Sequence, residues 1–313
     1  MCGMVSPRRF LFGVVLLIIV AGLGLRPRRL GAHQIPATPQ AAEARALRLA
    51  KERGSPLDLE VSGDLASLEP GATRFVTREQ LLAMPQSVFT VTGDSNFTAA
   101  TQIAGVTLAE LARQLASAPD SDLIVAICAD RYHAHYTPAY VTSHHPALVL
   151  KIDGKDPAEW PKNAEGLGPG MGPVLITHPN FTSKSKILAQ PEEPQRPWGV
   201  VEIEFRDEKV VFGAIAPRGP RASEPAVQQG YAIAQQNCFR CHNMGTEGGG
   251  KAGRTWLILS AWANSAPDAF AAYVRDPKSK NPSSQMPANP EYDDVTLKAI
   301  TSYFQTFIPK DPQ

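Results

Sequence analysis

Two cysteines with two residues between them, and a histidine directly after, stand in the stretch "AQQNCFRCHNMG" at residues 234–245. Cys238 and Cys241 lie at i and i+3, so a single helical turn presents both thiols on one side. From there they can add to the two vinyl groups of a haem. His242 then swings its imidazole under the porphyrin as the proximal iron ligand. Rival chemistries lack partners. A structural zinc site takes four ligands, and no second Cys/His pair follows in this region. A thioredoxin-like dithiol follows a strand among βαβ units, whereas here an amphipathic helix leads in. The spacing predicts one covalently attached haem c.

The distal side of the iron needs a ligand from elsewhere. Met244 is too close to His242 to reach around the ring. Met286 lies in "DPKSKNPSSQMPANP", a Pro-rich stretch that cannot stay helical and can lay a thioether across the distal face. A neutral soft sulfur favours Fe(II), so His/Met ligation raises the reduction potential. With both axial places filled, no position remains for oxygen or substrate. The expected site is therefore Cys238 and Cys241 as thioethers with His242 and Met286 as axial ligands. It carries no catalytic residue, and its task is electron transfer.

The elements that position these residues divide the chain. Residues 1–32 read as a signal peptide or N-terminal anchor: Arg8 and Arg9 precede the apolar run of residues 10–25, short for a spanning helix and close to a signal core. Arg26, Arg28 and Arg29 follow directly, which argues against clean cleavage. Either outcome exports the chain, so the expected location is periplasmic, soluble or membrane-anchored. Residues 33–56 read as an Ala- and charge-rich tether. Over 57–215, "LDLEVSG", "SVFTVTG", "DLIVAICA", "ALVLKIDG", "GPVLITH" and "WGVVEIEF" read as strands. Thr77 caps a short helix that Pro85 stops. In "GVTLAELARQLA", Thr107 caps, Glu110 closes a capping box, and Leu108, Leu111 and Leu115 share one face. Few helices among many strands predict an α+β domain. Residues 216–224 form a Pro-rich linker. Residues 225–313 are helical, with "EPAVQQGYAIAQQ", "PDAFAAYVRDP" and "DDVTLKAITSYFQTF" as the elements.

Composition narrows the function. A chain of 313 residues with 43% apolar content is long enough for about two domains with real cores. A net charge of +1 gives no electrostatic case for nucleic acid, and no phosphate-binding glycine motif is present. Apart from Cys2 in the leader and the two motif cysteines there is only Cys128, inside an apolar strand, where it reads as a small buried hydrophobe. His133 and His135 alternate along "YHAHY", with His144 and His145 nearby. Same-face imidazoles can bind a metal, but surface or hydrogen-bonded histidines are the simpler reading. Asp130, Arg131, Glu159 and Lys162 read as solvated charges.

The motifs "GYAIAQQNCFRCHNM", "AFAAYVRDPKSKNPSSQMP" and "LKAITSYFQTF" make the C-terminal region resemble a class I cytochrome c domain. The resemblance implies that its first and last helices cross closely, with Gly230 permitting the approach and Tyr303 packing there. That family places Gly-Pro-x-Leu after the haem motif, its Pro carbonyl orienting the proximal histidine; here the stretch reads "GGGKAGRTWLIL" and has no Pro. Residues 57–215 are similar to the molybdopterin-binding domain of the sulfite oxidase family, through "VSGDLASLEPGATRFVTREQLLAMP", "IAGVTLAELARQL", "DLIVAICADRYHAHYTPAY" and "LVLKIDGKDPAEW". The metal-binding cysteine implied by that resemblance is missing from "FTVTGDSNFTAATQIAGV", so a molybdopterin is not expected. The resulting expectation is an exported monohaem c-type cytochrome that serves periplasmic redox donor and acceptor proteins, with an N-terminal docking or assembly domain. The alternative is a sulfite-oxidase-like molybdenum oxidoreductase with a fused haem domain as electron acceptor.

Overall fold

A computed structural model describes residues 47–160, 172 and 174–308. The leader, residues 33–46 of the tether, and Lys162 lie outside the described residues. The chain runs β1 (Leu59–Gly63), β2 (Arg74–Val76), α1 (Arg78–Ala83), β3 (Ser87–Val91), β4 (Thr101–Thr107), α2 (Leu108–Leu115), β5 (Leu123–Cys128), β6 (His133–Tyr136), α3 (Pro138–His144), β7 (Ala147–Ile152) and β8 (Val174–Thr177). It continues through β9 (Lys186–Ile187), β10 (Gln190–Pro191), β11 (Trp198–Arg206) and α4 (Glu208–Gly213). Helices α5 (Pro225–Gln236), α6 (Trp256–Ser265), α7 (Pro267–Arg275), α8 (Pro277–Lys280) and α9 (Asp294–Phe304) complete it. No helix among the described residues is long and apolar enough to cross a membrane.

Among the described residues nine strands form one mixed sheet, with β9 and β10 as a separate ribbon. The sheet is antiparallel apart from β1 and β11, which run parallel. β11 organises it. One edge of β11 pairs first with β8 and then with β1, and β5 runs along the other edge. β6 extends the sheet beyond β5.

Local rules account for the short helices. Thr77 and Gln80 form a reciprocal capping box at the start of α1. At α2, Thr107 accepts from the amide of Glu110, but the Glu110 carboxylate turns to Arg113 and Gln114, so the capping box expected there is only half made. The two neighbours hold the Glu110 carboxyl down at about 2, the bond from Arg113 acting most strongly. Leu108, Leu111 and Leu115 are buried on one face as their spacing requires. The residues leading up to the cap of α2, Thr101–Thr107, form β4. Gly105 lets β4 lie against β7, because a β-carbon there would stand 2.1 Å from the carbonyl oxygen of Leu148.

The two halves of the chain have separate cores that meet on opposite faces of β5. On β5, Ile124, Ala126 and Cys128 face the cluster built with α1, α2 and the sheet. Leu123 and Val125 point the other way, into a cluster formed by α4 and the C-terminal helices. The uninterrupted apolar run "LIVAIC" is thus a strand buried on both faces. Just before the largely exposed residues 216–224, Ile215 is fully buried and its carbonyl accepts from Tyr303 Oη at 2.6 Å. α5 and α9 cross where a β-carbon on Gly230 would meet the Ala299 carbonyl oxygen at 2.2 Å and Tyr303 Cβ at 2.7 Å.

That crossing gives a direct test. Gly230→Ala forces backbone apart at a packed junction and should lower stability by about 1–3 kcal/mol, read from denaturant unfolding of the haem-loaded protein. An unchanged midpoint would refute the tight crossing.

Candidate haem site

The haem motif grows out of α5. After Gln236 the chain stays wound: the amides of Cys238, Cys241 and His242 donate to Ala234, Cys238 and Cys238 carbonyls respectively. No disulfide joins the two cysteines. They stand on the wall of a cavity of about 700 Å³. The same cavity is lined by His242 and by Met286, so the four residues singled out by spacing meet at one place.

Each ligand candidate is held from behind. His242 Nδ1 lies 2.6 Å from the Arg254 carbonyl oxygen. A carbonyl only accepts, so Nδ1 carries the proton and donates, and Nε2 keeps its lone pair. Burial depresses the His242 pKa against the opposing pull of that carbonyl, which keeps the ring neutral. The carbonyl that steadies the histidine in the absence of Gly-Pro-x-Leu is therefore that of Arg254. Met286 donates its amide to Ser284 Oγ at 3.3 Å, and Ser284 in turn bonds Tyr273 Oη at 3.0 Å. Asn289 ties the end of this loop to α7 through Arg275 and Val274 carbonyls.

The glycine run after the motif, unremarked by its sequence alone, proves essential to the loop. Gly249 donates its amide to the Phe239 carbonyl, and a β-carbon there would sit 1.8 Å from the Arg240 carbonyl oxygen. Gly248 has φ +84°, and its β-carbon would strike the Phe239 ring at 2.4 Å. Only glycine lets this segment fold under the motif. Further amide bonds, Ala252 to Cys241 and Trp256 to Asn243, continue the attachment.

The sheet region closes one side of the cavity with Tyr132, Pro191 and Glu193. His133 donates its amide to the Arg240 carbonyl at 2.9 Å, and Gly250 donates to Arg131 at 2.9 Å. Asp130 pairs with Lys251 at 2.7 Å and Arg206 with Glu247 at 2.7 Å. Asp130 and Arg131 are exposed, as expected of solvated charges, and in addition Asp130 pairs with Lys251 and the Arg131 carbonyl accepts from Gly250.

The histidines separate by role. His144 bonds Glu192 at 3.0 Å, and His145 is the exposed left-handed cap of α3. His178, buried beside them, meets Tyr140 Oη at 3.1 Å. His135 is neither at the surface nor hydrogen-bonded through its ring. It stacks on Phe239 of the haem motif, centroids 5.1 Å apart at 18°, and neither ring nitrogen has a partner among the described residues. No group of three His, Cys, Asp or Glu residues suited to a metal ion occurs among the described residues. Cys128 is buried with its thiol pushed up to about 12.

The segment that would carry a molybdenum thiolate offers oxygen and nitrogen donors that are already bonded to one another. Buried Asp94 accepts from Thr177 Oγ1 and from the amide of Asn96, and faces Arg196 Nε at 3.5 Å. Asn96 donates to the Arg196 carbonyl at 3.0 Å. This segment supplies none of the soft thiolate that the sulfite oxidase resemblance implies for molybdenum.

Residues 225–304 match the family model described as cytochrome c oxidase, cbb3-type, subunit III. The C-terminal region is a cytochrome c domain and carries covalently bound haem c. The cavity suits that group: two thiols, an imidazole nitrogen with a free lone pair and a thioether stand on its walls. Among solved structures, the sulfane dehydrogenase SoxCD from Paracoccus pantotrophus is similar over 55% of this chain at 12% identity, with a TM-score of 0.34. The chain spans 45% of the length of that protein's matching chain. No curated protein matches this sequence.

His135 predicts a pH dependence. Burial above all, helped by His133 and Arg240, lowers its pKa from 6.5 to about 3. The unfolded chain takes up the proton near 6.5 and the native one near 3, so stability is complete above about 6.5 and declines as the pH falls between these values. His135→Phe keeps the stack on Phe239 and removes the titration. Unfolding free energies measured from pH 7 to pH 4 should fall less steeply in the variant; parallel curves would refute the assignment.

Proposed function

We propose that this protein is an exported one-electron carrier. The observation that carries the reading is the convergence of Cys238, Cys241, His242 and Met286 on one cavity in a domain that bears haem c. Cys238 and Cys241 are the thioether positions and His242 and Met286 the axial ligands. The haem supplies the one-electron couple. The chain's own share is to fix the ligands, exclude water and present docking surface. Arg254 holds the proton of His242 on Nδ1 so that Nε2 faces the cavity, and the Ser284–Tyr273 pair fixes the Met286 loop.

The sheet domain is read as a docking and assembly module for a periplasmic redox protein. Support comes from its size, its lack of a metal-binding thiol, and its place against the haem motif, where it forms part of the cavity wall. Export rests on residues 1–32, and recovery of the protein in a periplasmic or membrane fraction tests it.

Protein matured with a working haem-attachment system should keep its pigment in acid acetone. Elemental analysis should find about one iron per chain and no molybdenum, because the thiols number two for one haem and the Asp94 cluster holds no thiolate. Stoichiometric molybdenum with a releasable pterin would replace the carrier reading by the oxidoreductase one. Met286→Ala should lower the reduction potential and let the reduced protein bind carbon monoxide. An unchanged potential would remove Met286 from the iron. Cross-links from a captured redox partner should reach the sheet domain. Cross-links confined to residues 225–308 would contradict its docking role.

A further inference from the structure

Arg240 stands inside the haem motif, between the two cysteines, and lines the haem cavity. It also borders a second cavity of about 370 Å³ between the sheet domain and α5, where Glu193 is again its neighbour. Its Nε is buried and without an acceptor, and no carboxylate lies within 4.0 Å of its guanidinium among the described residues. The other cations on the haem cavity wall are differently placed. Lys251 is neutralised by Asp130 at 2.7 Å, and Arg254 lies over the rings of Trp262 and Tyr273 at 5.1 and 5.3 Å.

The position of Arg240 is set by the sheet domain. Its carbonyl accepts from the His133 amide, and the preceding Phe239 is stacked beneath His135. Tyr132 and Glu193 come from the same domain and line the cavity beside it. Burial works against the charge, yet Tyr132, Glu193 and Tyr140 more than offset this and raise the guanidinium pKa above its ordinary value. An arginine stays charged in any case.

Resting on the haem reading above, we propose that Arg240 is a potential-setting cation of the haem centre, held against it by the sheet domain. A positive charge fixed beside the cavity and partly shielded from water favours the reduced iron, which carries one positive charge fewer. Little of that effect is screened when the group is partly buried. The sheet domain thereby acts on the redox chemistry without a cofactor of its own: it supplies the clamp that keeps the charge in place.

The test is potentiometric titration of the full-length, haem-loaded protein and two variants. Arg240→Gln should lower the reduced-to-oxidised ratio at a fixed solution potential by roughly tenfold, which is about 59 mV for a one-electron couple. Arg240→Lys, which keeps the charge, should restore most of that loss. The thioether-ligand absorption and thermal midpoint are followed alongside. A shift equal in both variants would mark a structural role and overturn the proposal, as would a potential unmoved in Arg240→Gln. A wild-type protein that binds no haem would overturn the haem reading itself, whereas haem-loaded variants without a shift would overturn only the role of Arg240.

Discussion

The arrangement depends on a two-stranded hairpin, β5 and β6, that is buried on both faces. Strand geometry sends alternate residues to opposite sides. Ile124, Ala126, Ala134 and Tyr136 therefore fill the core of the sheet domain, while Leu123, Val125 and His135 meet the haem domain. Burying a large aliphatic side chain contributes about 1.5–3 kcal/mol, so the residues on each face form a substantial part of two cores. Slipping the register by one residue would exchange the faces and bury the wrong set in both places.

The outer edge of β6 shows how the two domains are joined. A free strand edge presents unpaired amides and carbonyls that invite foreign pairing. Here His133 gives its amide to Arg240 of the haem motif. His135 has both its amide and its carbonyl taken by the side chain of Gln195, at 2.9 and 2.6 Å. The edge is closed partly by the sheet domain itself and partly by the loop that carries the cysteines. The haem-motif loop is thus tied to the edge of the neighbouring sheet by a backbone hydrogen bond. The glycines at 248 and 249 follow from that constraint, since the loop must pass beneath the motif while the motif is pinned from the other side.

Much of this was legible in the sequence because its signals are local. The spacing of Cys238, Cys241 and His242 selects the cofactor, and the periodicity of α5, α7 and α9 marks the helices that enclose it. Thr77 and Thr107 announce their caps, and the strands rich in Val and Ile lie where alternation put them. What escaped depends on tertiary context. β4 was hidden because its glycine serves a close strand approach that no local pattern reports. α6 begins within "RTWLILSAW", apolar on most sides, so its period is weak. Ion pairs such as Asp130–Lys251 join residues far apart in sequence, and composition cannot pair them. The run "LIVAIC" did carry the signal of double burial, but identifying the second covering layer required the structure. The carbonyl partner of His242 was likewise unreadable, because Arg254 reaches it through the fold of the glycine loop and not through a motif.

The interior of the sheet domain bears on what that domain can do. Asp94 is buried, and each of its oxygens already serves a neighbour: one takes the Asn96 amide, the other takes the Thr177 hydroxyl and faces Arg196. A buried carboxylate satisfied in this way is costly to disturb, because removing any partner leaves a charge or donor stranded. Such a network specifies structure; it does not offer an open coordination position or a free nucleophile. Among the buried polar atoms without partners, those of His135 and Arg240 stand where the sheet domain meets the haem motif, while others, such as Arg78 Nη1, Ser121 Oγ and His178 Nδ1, lie within the sheet domain itself. At the seam the domain holds the haem motif directly, through the His133 amide on the Arg240 carbonyl and the stack of His135 on Phe239.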